Sequence, residues 1–294
     1  MELLRALGTY TWPPDERQSA LADLLDLPVI TQAQWHHTFV ERYYPYGSVH
    51  LSGTGFVGGD VRDAAAGVFR ALDAAPPEEA DHLGALLDAY ATVDANGWGP
   101  ARSTLLWEHI LPWALPWTDH LRHDAASPHQ RWATLLWDSL VEVAGVVPVP
   151  ATAHTGGLAP SLLAAPDGLV DPRTGSPEDF LASLLAPVRL GAILTRDDLR
   201  LAARELDLAA RVGERRYVLR TLLQQDPAAV LGWLAAHCRT ARARTARWPD
   251  ATAALRGFWM DRATTAADLL SELSAAARES DSRHVRAART SARA

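Results

Sequence analysis

PPEEADHLGALLDAYATVDA, residues 76–95, decides the fold class. Two prolines and two glutamates lead into Leu83, Leu86, Leu87 and Tyr90, which fall at i, i+3, i+4 and i+7. That spacing places four apolar side chains on one face of an α-helix. Pro77 suits a helix start, and acids in the first turn suit the positive end of the helix dipole. The same period returns upstream in ERQSALADLLDL (16–27), TQAQWHHTFVERYY (31–44) and GGDVRDAAAGVFRALDAA (58–75), with Asp60 as the expected N-cap of the last. Downstream it returns in ARSTLLWEHILPWALPWTDHLRHDA (101–125) and SPHQRWATLLWDSLVEVAGVV (127–147). Pro112 and Pro116 are expected to kink or break the first of these.

The helical period stops at residue 146. Residues 146–180 are rich in Pro, Gly, Ser and Thr and read as a linker or long ordered loop. Helices resume in SPEDFLASLLAPV (176–188), TRDDLRLAARELDLAA (195–210), ERRYVLRTLLQQ (214–225), DPAAVLGWLAAHCRTARARTA (226–246) and DATAALRGFWMDRATTAADLLSELSAAARE (250–279). VVPVP is the best strand candidate, and its prolines spoil it. The expectation is an all-α multi-helix bundle: a core over 1–145, a linker over 146–180, a second helical region over 181–280 and a disordered Arg-rich tail over 281–294.

The 294 residues are enough for a substantial core, and 48 % apolar content marks a folded chain. All 28 basic residues are Arg. The net charge of −7 argues against general nucleic-acid binding, but it is unevenly spread. Residues 239–294 carry 11 Arg against 6 acids, while residues 60–95 carry 8 acids against 2 Arg. A charged partner of the first half should therefore be cationic. The N-terminal stretch shows no basic region followed by an apolar one, and no run approaches the ~18 apolar residues of a spanning helix. A cytoplasmic chain with no stable membrane insertion is expected.

Few arrangements carry chemistry. The single cysteine, Cys238, reads as a buried small side chain. His109, His120 and His123 lack the H-E-x-x-H pattern of a hydrolytic zinc helix, so no metal or cofactor is expected. SGTGFVGGD (52–60) has neither the Lys-Ser/Thr of a phosphate loop nor a preceding strand, and reads as a flexible loop. Asp81 and His82 are neighbours about 100° apart on a helix, so they should not pair as a catalytic dyad. No catalytic residue is expected. LTRDDLRLAARELDLAARVGERRYVLRTLLQQ (194–225) has the length of a helix-turn-helix, with Arg215, Arg216 and Arg220 as candidate phosphate contacts; an ordinary helical pair is the plainer reading.

ERYYPYGSVHLSG, residues 41–53, is aromatic, turn-forming and uncharged after Arg42. Its order with the stretches that follow resembles the TorD/DmsD family of chaperones for molybdenum enzymes of the dimethyl-sulfoxide-reductase type. Pro45, Tyr46, Gly47, Ser48 and Val49 match the first family motif. Asp81 and His82 match the second, and His109, Leu111, Pro112 and Trp113 the third. The likeness covers roughly residues 20–145. His50 stands where the family usually has an aromatic residue, and Ala80 replaces an acid.

The resemblance implies an all-helical, non-enzymatic chaperone. It implies binding of the twin-arginine signal peptide or N-terminal region of a molybdopterin-containing oxidoreductase subunit until the cofactor is inserted. The expected peptide-binding residues are Asp81, His82, Tyr44, Pro45, Tyr46, Gly47, Ser48, Val49, His50 and Trp113. The turn at 45–48 forms one wall of a groove, and Asp81-His82 lies on a facing helix. Tyr43, Tyr44, Tyr46 and the Trp107/Trp113/Trp117 group supply amphipathic surface, beside the plainer reading of Tyr43, Trp107 and Trp117 as core packing. His82 could make the contact pH-sensitive near neutrality. Two alternatives stay open: an assembly factor of the nitrate-reductase type for a subunit that is not exported, and a DNA-binding regulator using the Arg-rich C-terminal helices. Homodimerisation by exchange of C-terminal helices across 146–180 is also compatible with the sequence.

Overall fold

A computed structural model describes residues 1–150 and 157–291. Residues 151–156 of the expected linker and 292–294 of the expected tail lie outside the described residues. The fold is all-α, and among the described residues there is no strand; the one β-type pairing is an isolated antiparallel bridge between Tyr46 and His82. VVPVP forms no strand within its described residues.

The first half contains α1 (Glu2–Thr9), α2 (Glu16–Leu25), α3 (Gln32–Trp35), α4 (Gly47–Leu51), α5 (Asp60–Ala71), α6 (Leu83–Ala95), α7 (Gly99–Thr104), α8 (Leu111–Arg122) and α9 (Gln130–Val146). Two π-helical segments extend this set, His36–Val40 after α3 and Leu105–Ile110 between α7 and α8. A short α10 (Pro160–Leu163) lies within the Pro/Gly-rich stretch. Then follow α11 (Pro177–Leu184), α12 (Pro187–Leu190), α13 (Arg196–Glu205), α14 (Arg215–Gln225), α15 (Pro227–Thr245) and α16 (Ala253–Ser291).

Several boundaries differ from the sequence reading for local reasons. Pro77 does not open α6: residues 78–81 form a turn, and His82 is the N-cap, its Nδ1 accepting the Gly84 N–H at 3.2 Å. Gly59, not Asp60, is the N-cap of α5. The tail expected to be disordered from 281 continues α16 as backbone to Ser291.

The prolines of α8 do not break it. Pro112 enters at the start of the helix, directly after the π-helical segment, and Pro116 lies inside. Pro116 has no N–H to give the carbonyl of Pro112, four residues back. That carbonyl instead accepts the indole N–H of Trp259 at 3.0 Å. A tryptophan 147 positions away thus satisfies an acceptor that the helix cannot.

Other indoles tie elements together in the same way. Trp132 Nε1 donates to the Leu7 carbonyl, joining α9 to α1, and Trp107 Nε1 donates to that of Val147. Phe39, Trp117 and Trp132 pack ring on ring, with centroids about 5.6–6.0 Å apart. Such geometry contributes about 0.5–1.5 kcal/mol per pair beyond area burial.

The interior has two apolar clusters. The second is built from α11 to α16 around Leu184, Leu219, Leu234 and Leu270, and contains Cys238. Burial pushes the Cys238 thiol up to about 12, which suits an inert packing role. The first cluster does not stop at residue 145: it takes in Ala159, Leu162, Val188, Ile193, Trp248, Leu255 and Trp259. The Pro/Gly-rich stretch is laid on this core where it is described.

Candidate functional site

The turn at 45–48 and the pair Asp81-His82 do come together. Gly47 N–H donates to the Asp81 carbonyl at 3.0 Å, and Leu83 N–H donates to that of Pro45 at 2.9 Å. Asp81 and His82 belong to the turn before α6, not to a facing helix. Their side chains diverge. Asp81 Oδ2 accepts the Ser48 N–H at 2.7 Å, supplying a carboxylate to the first turn of α4. The His82 ring lies against Trp12, with centroids 3.7 Å apart.

His82 carries no pH sensitivity near neutrality. Burial pushes its pKa down to about 3, against a weaker opposing contact with the Thr11 backbone. The Gly84 N–H donates to Nδ1, which fixes the neutral tautomer with its proton on Nε2. His50 behaves similarly. It stacks on Trp113 at 5.4 Å, reaches the Tyr44 carbonyl through Nε2, and is pushed by burial to about 4.

Most of the expected contact surface is interior. Ser48, Val49, His50, Asp81, His82 and Trp113 are all buried, as are Tyr43, Trp107 and Trp117. The three tryptophans are core, not a docking surface. Trp113 is anchored by its indole N–H on the His109 carbonyl at 2.8 Å, and a Cβ on Gly47 would come within 2.9 Å of that nitrogen. Gly47 is therefore required by the close approach of α4 to α8.

A cavity of about 650 Å³ opens beside this knot. Gly47, Asp81 and Trp113 line it, together with Asp60, Glu108 and His109. Its far wall is the segment 160–166, part of the Pro/Gly-rich stretch. No arginine lines it, and burial pushes His109 to about 4. Asp81 is 1 % exposed, and its second oxygen, Oδ1, is buried without a hydrogen-bond partner. A buried carboxylate oxygen left unpaired is costly, and here it belongs to a side chain at the cavity wall.

The remaining expected residues divide. Tyr44 and Val49 line a different cavity, described below. Pro45, Tyr46, Ser48, His50 and His82 line neither and hold the knot together; Tyr46 does so through its hydroxyl on Glu79 Oε2 at 3.0 Å. Sequence reasoning missed Glu108, Asp60 and the segment 160–166. Glu108 directly precedes the matched His109, a signal that was available; nothing local points to 160–166. The glycine-rich loop 52–60 is pinned: Ser48 Oγ accepts the Gly58 N–H, and the Gly53 carbonyl accepts Arg189 Nε.

The candidate DNA-contacting arginines are engaged within the chain. Arg216 and Arg220 both pair with Glu178 at 2.7 Å, and Arg215 lies over the Tyr44 ring. Among the described residues no group of three His, Cys, Asp or Glu side chains is placed to hold a metal ion, and no helix is long and apolar enough to cross a membrane. His120, which the sequence sets beside His123, faces Asp198 at 3.4 Å and Arg244 at 3.1 Å instead.

The site thus defines a class in physical terms: an all-α protein with a recess whose lining includes Asp60, Asp81 and Glu108. No family model matches the chain, and no match is found among curated proteins.

Proposed function

We propose that the chain is a cytoplasmic, non-enzymatic chaperone of the TorD type. It binds the twin-arginine signal peptide, or N-terminal region, of a molybdopterin-containing oxidoreductase subunit and holds it until cofactor insertion. The supporting observation is the buried, unpaired Oδ1 of Asp81 in a cavity lined by further carboxylates and by no arginine. A guanidinium is the ligand group that best meets this arrangement. It brings several donors in a planar fork, its charge is permanent, and it is less strongly hydrated than an ammonium. Val61, Ala64 and Pro160 of the lining, none of them buried, offer apolar contact to the residues beside the arginines.

The test is calorimetric titration with a synthetic leader peptide carrying an Arg-Arg pair before an apolar stretch. A second peptide has both arginines changed to Ala. Saturable binding that weakens strongly with the Ala pair supports the reading. Absence of binding to either peptide overturns it, and equal binding of both removes the anionic cavity from recognition.

A further inference from the structure

A second cavity, of about 370 Å³, shares Thr54 with the first. Gly47 and Leu51 of α4 face the first cavity; Val49 faces the second. The charge is reversed. Its lining carries Arg196, Arg215 and Arg216 against one carboxylate residue, Glu214. Arg216 is already tied to Glu178. Arg196 and Arg215 have no ion pair among the described residues. Arg215 gives one N–H to the Leu194 carbonyl at 3.0 Å and lies over Tyr44, with 5.3 Å to the ring centroid. Arg196 Nε is buried with no hydrogen-bond partner. Glu41 feels the charge of Arg196 but hydrogen-bonds His37.

Two guanidiniums in one recess, neither in an ion pair, repel each other, and partial burial deprives them of water. Burial first, and then Arg196, hold Arg215 below the ordinary arginine range, with Tyr44 opposing. Such an arrangement is relieved by an anion. A phosphate group carries about −1.5 to −2 charge at neutral pH and presents acceptors in several directions, matching two guanidiniums better than a single carboxylate does. The volume exceeds what a bare ion needs and lies within the range of small-molecule sites. At the rim Phe56 is 65 % and Val57 55 % exposed, offering apolar surface to an organic body.

We propose that this cavity is a phosphate-binding site for a small organic phosphomonoester, its phosphate held between Arg196 and Arg215 and its body against Tyr44 and Phe56. The site stands independently of the peptide-chaperone reading.

The experiment is calorimetric titration of the full chain with phenyl phosphate and, separately, with inorganic phosphate, both matched to sodium chloride of equal ionic strength. Arg196→Gln is the main variant, because that side chain makes no hydrogen bond in the fold; its unliganded melting temperature should match the parent. Saturable phenyl phosphate binding that weakens at least ~10-fold in Arg196→Gln is expected. Phe56→Ala should weaken phenyl phosphate and leave inorganic phosphate unchanged. Equal binding of the two probes, lost together in Arg196→Gln, supports the phosphate site and assigns free phosphate as its ligand. No saturable binding of either probe, or binding unchanged in Arg196→Gln, overturns the proposal.

Discussion

Asp81 is predicted to do two separable jobs, one with each oxygen. Oδ2 accepts the Ser48 N–H at 2.7 Å inside the protein, while Oδ1 is buried and unpaired on a residue that lines the cavity. Asp81→Ala removes both. It orphans a buried donor at the start of α4, and a hydrogen bond to a charged group contributes about 1.5–3 kcal/mol, so stability should fall by about 2–3 kcal/mol. Asp81→Asn keeps an amide oxygen that can accept the same N–H and puts an NH₂ group in place of the unpaired Oδ1. Its loss of stability should be about 1 kcal/mol or less. A donor facing a guanidinium replaces attraction with a mismatch, so affinity for the twin-arginine peptide should fall roughly 10- to 100-fold. Urea unfolding of parent and both variants measures the first quantity, and peptide titration the second. Asn as damaging to stability as Ala would refute the division of labour between the oxygens. Parental peptide affinity in the Asn variant would show that the cavity carboxylate recognises nothing.

Further predictions address the frame around the site. Trp259→Phe removes the only described donor to the Pro112 carbonyl and should cost about 1–3 kcal/mol in urea unfolding; an unchanged midpoint would mean that water replaces the indole without loss. Gly191→Ala should abolish folding or lower stability by more than ~3 kcal/mol: φ is +71° and a Cβ would lie 2.1 Å from the Ala263 nitrogen. A soluble variant with parental melting temperature would contradict that packing. Acid should destabilise the fold through buried neutral histidines. His82 and His129 are pushed to about 3 and His50 and His109 to about 4, mainly by burial. Their folded values lie below the unfolded value near 6.5, so the unfolded chain takes up more protons. Their contribution is fully present above about pH 6.5 and is lost as pH falls toward 4, at up to about 1.4 kcal/mol per unit for each. Melting temperatures should hold from pH 8 to 7 and drop below 6.5; a rise on acidification would refute the account.

The legibility of this chain in its sequence depended on range. Leu83, Leu86, Leu87 and Tyr90 announced α6 because one helical face is a local pattern, and all four are buried. The meeting of residues 45–48 with Asp81 was expected from the motif order, yet its nature was not. The motif residues are mostly the knot that builds the cavity rather than the surface that contacts a ligand. Composition suggested exposed aromatic anchors, but a tryptophan at helical spacing reads alike in a core and at an interface. Pro116 was expected to disrupt α8, since nothing within ten residues offers its missing donor; the donor comes from Trp259. The 160–166 wall was invisible for the same reason. Its residues have no period and gain meaning only from what they lie against. Arg196 and Arg215 stood in a segment read as an ordinary helical pair, and tertiary packing placed them in one recess with Tyr44 and Val49.

The position of Trp248, Leu255 and Trp259 in the first core has a consequence for synthesis. A ribosome releases the N-terminal helices long before these side chains exist. Until residue 259 has emerged, α8 keeps an unsatisfied carbonyl and the apolar surface of the first cluster stays uncovered. The growing chain is then itself in the condition of a chaperone's client, and its recess becomes a rigid surface only when translation is nearly complete. Ribosome-bound chains stalled after residue 200 should accordingly be cleaved by protease throughout the first half, and chains stalled well past 259 should resist.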